Sequence, residues 1–371
     1  MKPARKRSHT PNGCQYLSRK VRIKTRLRYR RRQRQYQLSR ETPTRLGPGP
    51  TRVTPWCGVV LGGQAVCSEL ERSLDRLMTG VRADWALYVK YTGSGEEICI
   101  NADALMDTMS TIKIPILVTL FRMVDAGELD LAQTYTLETR FKRFGTGVLQ
   151  SMDDGMTFSL RDAATLMIIE SDNTATDYCY EAIGGPEAVN ATMRELGLRD
   201  IEALGNCFDW FTALAGVVEP TLGELGPAEL FRKGYPDLAP DVWFRARERF
   251  HFEEGRPFSL ASSRALGELL ERIWNDSCAS PAACADMRRI LHKQVDRSRL
   301  PKYLPEAKVA HKTGDFGPFI ANDVGAIESR DIPPIIICVM MAGHRGNWEN
   351  LEDTVARIAE KVWEYGIYSS R

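Results

Sequence analysis

The chain has 371 residues, 43% of them hydrophobic and 26% charged, an ordinary globular composition that excludes collagen-like, wholly disordered and small disulfide-stapled classes. Its net charge of +2 averages two unlike parts. Residues 1–52 carry 17 lysines and arginines against one acid, Glu41, while the remaining 319 carry 33 against 47 acids.

The run RKVRIKTRLRYRRRQR over residues 19–34 reads as a solvated basic arm without a fold of its own. Its charge suits contact with an anionic polymer or membrane surface. Residues 43–55, with Gly47 and Gly49, read as a linker, so we expect an arm and linker over 1–55 and a folded body over 56–371. Residues 56–66 are apolar like the middle of a secretory signal, but the stretch before them is too long for a leader. Export and localisation stay open on this reading. The longest apolar run, 332–342, holds two prolines and is too short to cross a membrane. Nine cysteines without a C-x-x-C pair read as mostly free thiols.

Apolar spacing predicts a first helix over 68–78, with a Ser68…Glu71 capping box. Two strands, 84–91 and 97–101, follow around Thr92-Gly93-Ser94-Gly95. Helices are predicted over 110–126, 159–169 (capped by Ser159 and Asp162), 186–196, 263–274 and 281–292. Strands return at 307–313, 322–328 and 334–341, before a final helix whose Leu351, Val355, Ile358, Ala359 and Val362 share a face. This order implies an α/β (α+β) fold. An antiparallel sheet from both chain ends, about 68–102 and 305–368, is flanked by terminal helices, and an all-helical subdomain, about 103–304, is inserted between, leaving a cleft where they meet.

Among all serines, only Ser110 is followed by a lysine three residues on, in Ser110-Thr111-Ile112-Lys113. On a helix the two side chains share a face, so the amine can take the hydroxyl's proton if its own pKa is lowered. A serine in a first turn also has its N–H free to stabilise an oxyanion. Ser171-Asp172-Asn173 follows the predicted 159–169 helix, and Lys312-Thr313-Gly314 ends a predicted strand.

Together, in this order, the three elements resemble the penicillin-recognising serine hydrolases, most closely the class A β-lactamases with their S-x-x-K, S-D-N and K-T-G motifs. Gly145-Thr146-Gly147, Ile183-Gly184-Gly185-Pro186 and Asn322-Asp323-Val324 extend the likeness, which spans residues 68–366. The resemblance implies that Ser110 forms an acyl-enzyme, with Lys113 as base or proton relay. It implies that Ser171 passes a proton to the leaving nitrogen and that Asn173 holds the substrate amide and Lys113. Lys312 and Thr313 would bind a substrate carboxylate, Gly314 would let the substrate lie close, and the N–H groups of Ser110 and Asp315 would form the oxyanion hole. Asp172 is expected to be a structural cap.

Two departures stand out. The family's deacylating glutamate has no match near Gly205-Asn206-Cys207-Phe208-Asp209, and residues 206–258 form an expanded stretch with Asp209, Glu219, Glu224 and Glu253 as candidate bases. Asp315 is an acid beside Lys312, which weakens the field meant for a carboxylate. β-Lactam hydrolysis leads the reading. A D-alanyl-D-alanine carboxypeptidase or esterase on the same scaffold, and a penicillin-binding sensor that does not turn over, are its rivals. The substrate is a small molecule, a β-lactam or acyl-peptide, and by resemblance the compartment would be periplasmic or extracellular.

The five histidines show no H-x-H or H-E-x-x-H spacing, so neither a metal nor a cofactor is expected. Strand alternation aims His311 away from Lys312 and its substrate-facing side. Trp210, Phe211, Trp243, Phe244 and Phe250 are expected to pack the extra segment in preference to walling a cleft.

Overall fold

The structure, a computed structural model, describes residues 69–235 and 238–369. The basic arm, the linker and Ser68 of the expected capping box lie outside the described residues. Helix α1 spans Glu69–Thr79, and strands β1 (Asp84–Tyr91) and β2 (Glu97–Ile100) follow. The chain returns to this sheet only at β8 (Lys308–Phe316), β9 (Ile320–Glu328) and β10 (Ile335–Ala342), before α11 (Trp348–Ser369). The five strands run β2-β1-β10-β9-β8, with each neighbouring pair antiparallel.

The central strand β10 explains why its sequence is apolar without alternation. Ile335, Ile337, Val339 and Met341 face a core shared with α1 and α11, while Ile336, Cys338 and Met340 face the core of the helical part. A strand covered on both faces needs apolar side chains at every position. On the second face α9 (Ser263–Trp274) lies against β1 and β10. A side chain at Gly267 would place its Cβ 2.2 Å from the Tyr88 ring, so this glycine sets how closely helix and sheet approach.

The helical part holds α2 (Lys113–Asp125), α3 (Leu160–Ile169), α4 (Asn173–Ile183), α5 (Pro186–Glu195) and α10 (Pro281–Leu291). The Ser159–Asp162 capping box is present at α3 as expected. Helix α4 was not legible in the sequence: Thr174, Thr176, Tyr178 and Tyr180 are weak helix formers, and the helix is buried on nearly all sides, which erases the apolar stripe.

The expanded stretch is mostly helical. It forms α6 (Cys207–Val218), α7 (Pro227–Lys233) and α8 (Pro240–Glu248), and then a wide π-helical turn over Arg249–Glu253. A small sheet closes it, in which β7 (Ser259–Ala261) pairs with both β3 (Met106–Asp107) and β6 (Ile201–Ala203). The segment thus ends beside the turn that carries Ser110. Among the described residues no helix is long and apolar enough to cross a membrane.

Candidate active site

The predicted 110–126 helix begins with a 3-10 turn, Met109–Ile112, and becomes α-helical at Lys113. Pro115 gives the reason: it has no N–H for the Thr111 carbonyl, and its ring crowds that carbonyl. In a 3-10 turn side chains three apart eclipse, which keeps Ser110 and Lys113 on one side. Met109 enters the turn at φ 44°, a strained value for a side-chain-bearing residue. Its N–H is held by Asp107, whose carboxylate also accepts from the N–H of Phe258 at 3.1 Å. Burial pushes the Asp107 carboxyl up to about 7.

Strand β8 is a sheet edge and passes directly against this turn. A Cβ at Gly314 would lie 2.5 Å from the Thr108 carbonyl oxygen and 3.1 Å from the Ser110 nitrogen. The glycine of the K-T-G triplet is therefore required by the approach of strand to turn, before any substrate is considered. Asn322 on β9 completes the fastening, donating to the carbonyls of Asp107 and Thr108 and accepting from the Met341 N–H. This residue was visible in the sequence only as part of the family likeness.

Lys113 has no exposed surface. Its Nζ donates to the Ser171 carbonyl at 2.7 Å, the Ser171 hydroxyl at 3.0 Å and Asn173 Oδ1 at 2.9 Å. Burial lowers its pKa from the ordinary lysine value. Ser171 sits at φ 53°, and its carbonyl also accepts from Thr146. Asp172 caps α4 through the Ala175 N–H and reaches the Leu149 N–H with its other oxygen, the structural role expected of it. Gly147, at φ 113°, lets the 145–149 loop press against Asp172, since a Cβ there would fall 2.3 Å from the Asp172 carboxyl carbon.

Lys312 is equally buried but differently held. Its Nζ donates to the Thr313 carbonyl at 2.8 Å, and burial, together with the charge of Lys113, brings its pKa down to about 7. Asp315 stands beside it and is bound at 2.5 Å by Arg299, a guanidinium only 2% exposed that also donates to the Asn322 carbonyl. His311 projects to the other side and meets Asp323 at 2.8 Å, as strand alternation predicted.

A cavity of about 450 Å³ opens at Ser110. Ser171, Asn173, Thr146 and Asp315 share its wall with Phe144, Trp210, Phe211, Trp243, Phe258 and Phe316. Four of these aromatics, Trp210, Phe211, Trp243 and Phe258, come from the expanded segment, and the first three were expected to pack in preference to walling a cleft. Phe250 and Phe244 do pack, against Trp210 and Phe319 respectively. Lys312 and Thr313, 0% and 4% exposed, do not line the cavity. Nor do Asp209, Glu219, Glu224 or Glu253; Glu219 instead accepts from Thr221 and pairs with Lys233. What the segment brings to the Lys113–Asn173 pair is a thiol: Cys207 Sγ lies 3.8 Å from Asn173 Oδ1, and burial raises its pKa well above the ordinary value.

A profile described as the β-lactamase enzyme family matches residues 69–366. The chain belongs to this family. It is a serine hydrolase with a β-lactamase and penicillin-binding-protein fold. Its relatives include the extended-spectrum β-lactamase PER-1 of Pseudomonas aeruginosa, 20% identical over 80% of this chain and 87% of that protein. They also include the β-lactamase regulatory protein BlaB of Streptomyces cacaoi, 24% identical over 76% of this chain and 90% of that one. Among solved structures, the β-lactamase of Sphaerobacter thermophilus superposes with a TM-score of 0.64 at 23% identity, covering 81% of this β-lactamase-family chain and 97% of its own. At that identity the likeness speaks for the fold.

Proposed function

We propose that this chain is a class A-type β-lactamase in which Ser110 opens the lactam ring to form an acyl-enzyme. The observation that carries the reading is the fully buried Lys113, three residues from Ser110 and bound to Ser171 and Asn173. Burial favours its neutral amine, which can take the Ser110 proton. The Ser110 Oγ–carbon bond then forms, the lactam carbon–nitrogen bond breaks, and the proton passes through Lys113 and Ser171 to the departing nitrogen. The N–H groups of Ser110 and Asp315 receive the oxyanion, and Asn173 holds the substrate amide.

Hydrolysis of the acyl-enzyme is the slow step in this proposal. Among the described residues Asp315 is the one carboxylate on the wall of the Ser110 cavity, and Arg299 holds it. The group against Asn173 is a protonated thiol, which cannot activate water. Mixing the full chain with a chromogenic cephalosporin, and following both colour and intact mass, tests this. One acyl increment at Ser110, lost in Ser110→Ala, with hydrolysis slower than acylation, is the expected result. An adduct without any turnover would move the reading to a penicillin-binding sensor.

No adduct at all would favour the second reading, a D-alanyl-D-alanine carboxypeptidase or esterase. The observation behind it is Asp315, whose carboxylate is bound by Arg299 and adds a negative charge near Lys312, the cation that would receive a substrate carboxylate. In either case the basic residues of positions 1–52 would dock the enzyme to an anionic polymer or membrane surface. Salt-dependent polyanion binding that disappears when those residues are removed is the expected result.

A further inference from the structure

Among the described residues the charged side chains on the cavity wall are Asp315 and Arg247. Asp315 is satisfied by Arg299. Arg247, on α8, is not matched in this way. The charges around it in sequence are all paired: Arg245 with Asp241 at 2.5 Å, Glu248 with Arg345 at 2.7 Å and Arg249 with Glu254 at 3.6 Å. Among the described residues Arg247 has no carboxylate partner, and its guanidinium lies over the Phe316 ring at 4.6 Å. The residue is half-buried among Phe316, Trp243 and Phe258, where a cation that has given up water without an anion in return is held at a cost.

Position adds direction to this. Lys312, the cation usually aimed at a substrate's carboxylate, is sealed from the cavity, and Asp315 neutralises its surroundings. Phe316 is four residues further along β8, about 13 Å at the usual rise of a strand. The unmatched cation thus lies against Phe316, further along β8 than Asp315 and away from Lys312, on a wall that it shares with Ser110 and the aromatic residues. A cavity of about 450 Å³ is large enough for a bulky organic group.

We infer that Arg247 is the anion anchor of this site, and that the cavity takes an acyl group with an aromatic or long aliphatic body ending in a carboxylate. The inference rests on the proposed acylation of Ser110. It moves the substrate's charge from the leaving-group side, where the family motif would place it, to the far end of the acyl arm. The apolar walls bind the body of the arm, and the guanidinium takes the carboxylate in a two-pronged contact.

The test uses two matched pairs of probes on the full chain. One pair is a phenylacetyl penicillin and its para-carboxy derivative; the other presents the same two acyl groups as 4-nitrophenyl esters. The readout is the second-order rate of acyl-adduct formation at Ser110, by intact mass and peptide mapping. The carboxylated member of each pair is expected to react about 10-fold faster, and added salt should reduce that ratio. The ratio should fall to about 1 in Arg247→Gln and recover in part in Arg247→Lys. Equal rates within both pairs in the unmodified enzyme, or a preference that survives in Arg247→Gln, would overturn the inference and assign Arg247 to packing against Phe316. The salt series on the unmodified enzyme decides the matter if the variant fails to fold. Adducts from the esters alone would overturn the β-lactam reading while still measuring the preference, and no adduct from any of the four would overturn both.

Discussion

Lys113 and Lys312 stand on either side of the Ser110 turn and have no exposed surface, yet their surroundings differ in kind. Lys113 donates to three neutral oxygens, from Ser171 and Asn173, with no carboxylate in direct contact among the described residues. Lys312 donates to a single carbonyl and shares its corner with Asp315 and Arg299. An amine among neutral acceptors can lose and regain a proton cheaply. One embedded among alternating charges serves mainly to balance them. The first corner is arranged for proton transfer and the second for electrostatic closure.

Removing each corner in turn should expose that division. Lys113→Ala is expected to slow acylation of Ser110 by about 10²- to 10⁴-fold, read as adduct formation by mass, with the folding midpoint changed far less. Arg299→Ala should act the other way round. It strands Asp315 and frees the Asn322 carbonyl, so we expect a loss of about 3 kcal/mol in stability, measured by denaturant titration, and a smaller change in acylation.

Acidity sharpens the comparison further. Unfolded, Lys312 keeps its proton to an ordinary lysine value near 10.5, while in the fold it releases it near 7. Between pH 7 and 9 the unfolded chain therefore binds more protons, and stability should rise with pH by up to about 2 kcal/mol. Lys312→Met should reduce that rise, leaving the part that comes from Lys113, whose pKa burial also lowers. The window begins at 7 because Asp107 works in the opposite sense below it: its folded pKa is raised to about 7, so its contribution is lost as pH climbs from about 4. It ends at 9 because buried thiols such as Cys179, raised above their ordinary 9.0, then begin to oppose the trend. The smallest effect is expected for Asp315→Ser. Freeing Lys312 and Arg299 should speed acylation by a bicyclic β-lactam bearing a ring carboxylate about 10-fold, or ~1.4 kcal/mol. An unchanged rate would mean that the two cations stay closed to substrate even without the acid.

The sequence made the nucleophile's surroundings readable because short-range geometry carries them. An S-x-x-K spacing means one face of a turn, Ser159…Asp162 means a cap, and alternation along β8 sends His311 and Lys312 to opposite sides. The expanded stretch was readable only as extra. Trp210, Phe211 and Trp243 have the composition of any packed core, and nothing local distinguishes a wall from a filling. Arg247 was equally silent, because an arginine among Arg245, Glu248 and Arg249 looks like one more charge on a solvated helix. It becomes distinctive only when its neighbours' partners are known. Gly314 shows the reverse: its motif was plain, but the crowding of Thr108 and Ser110 that requires it emerged from the fold.

The grip of Asp107 on three backbone N–H groups, at Met109, Phe258 and Ser259, reinforces the joint that the β3–β7 pairing makes between two parts of the chain. Backbone contacts of this kind are indifferent to side-chain identity, proline excepted. Apart from His251, whose ring lies 3.4 Å from the same carboxylate, residues 208–257 can therefore diverge in sequence and length, provided the chain comes home to Asp107. Asp107 is in that sense a standard coupling, through which one scaffold can be refitted with different chambers. Moving the chamber of this enzyme onto another member of the family would succeed or fail on how its last two residues, Phe258 and Ser259, are set down.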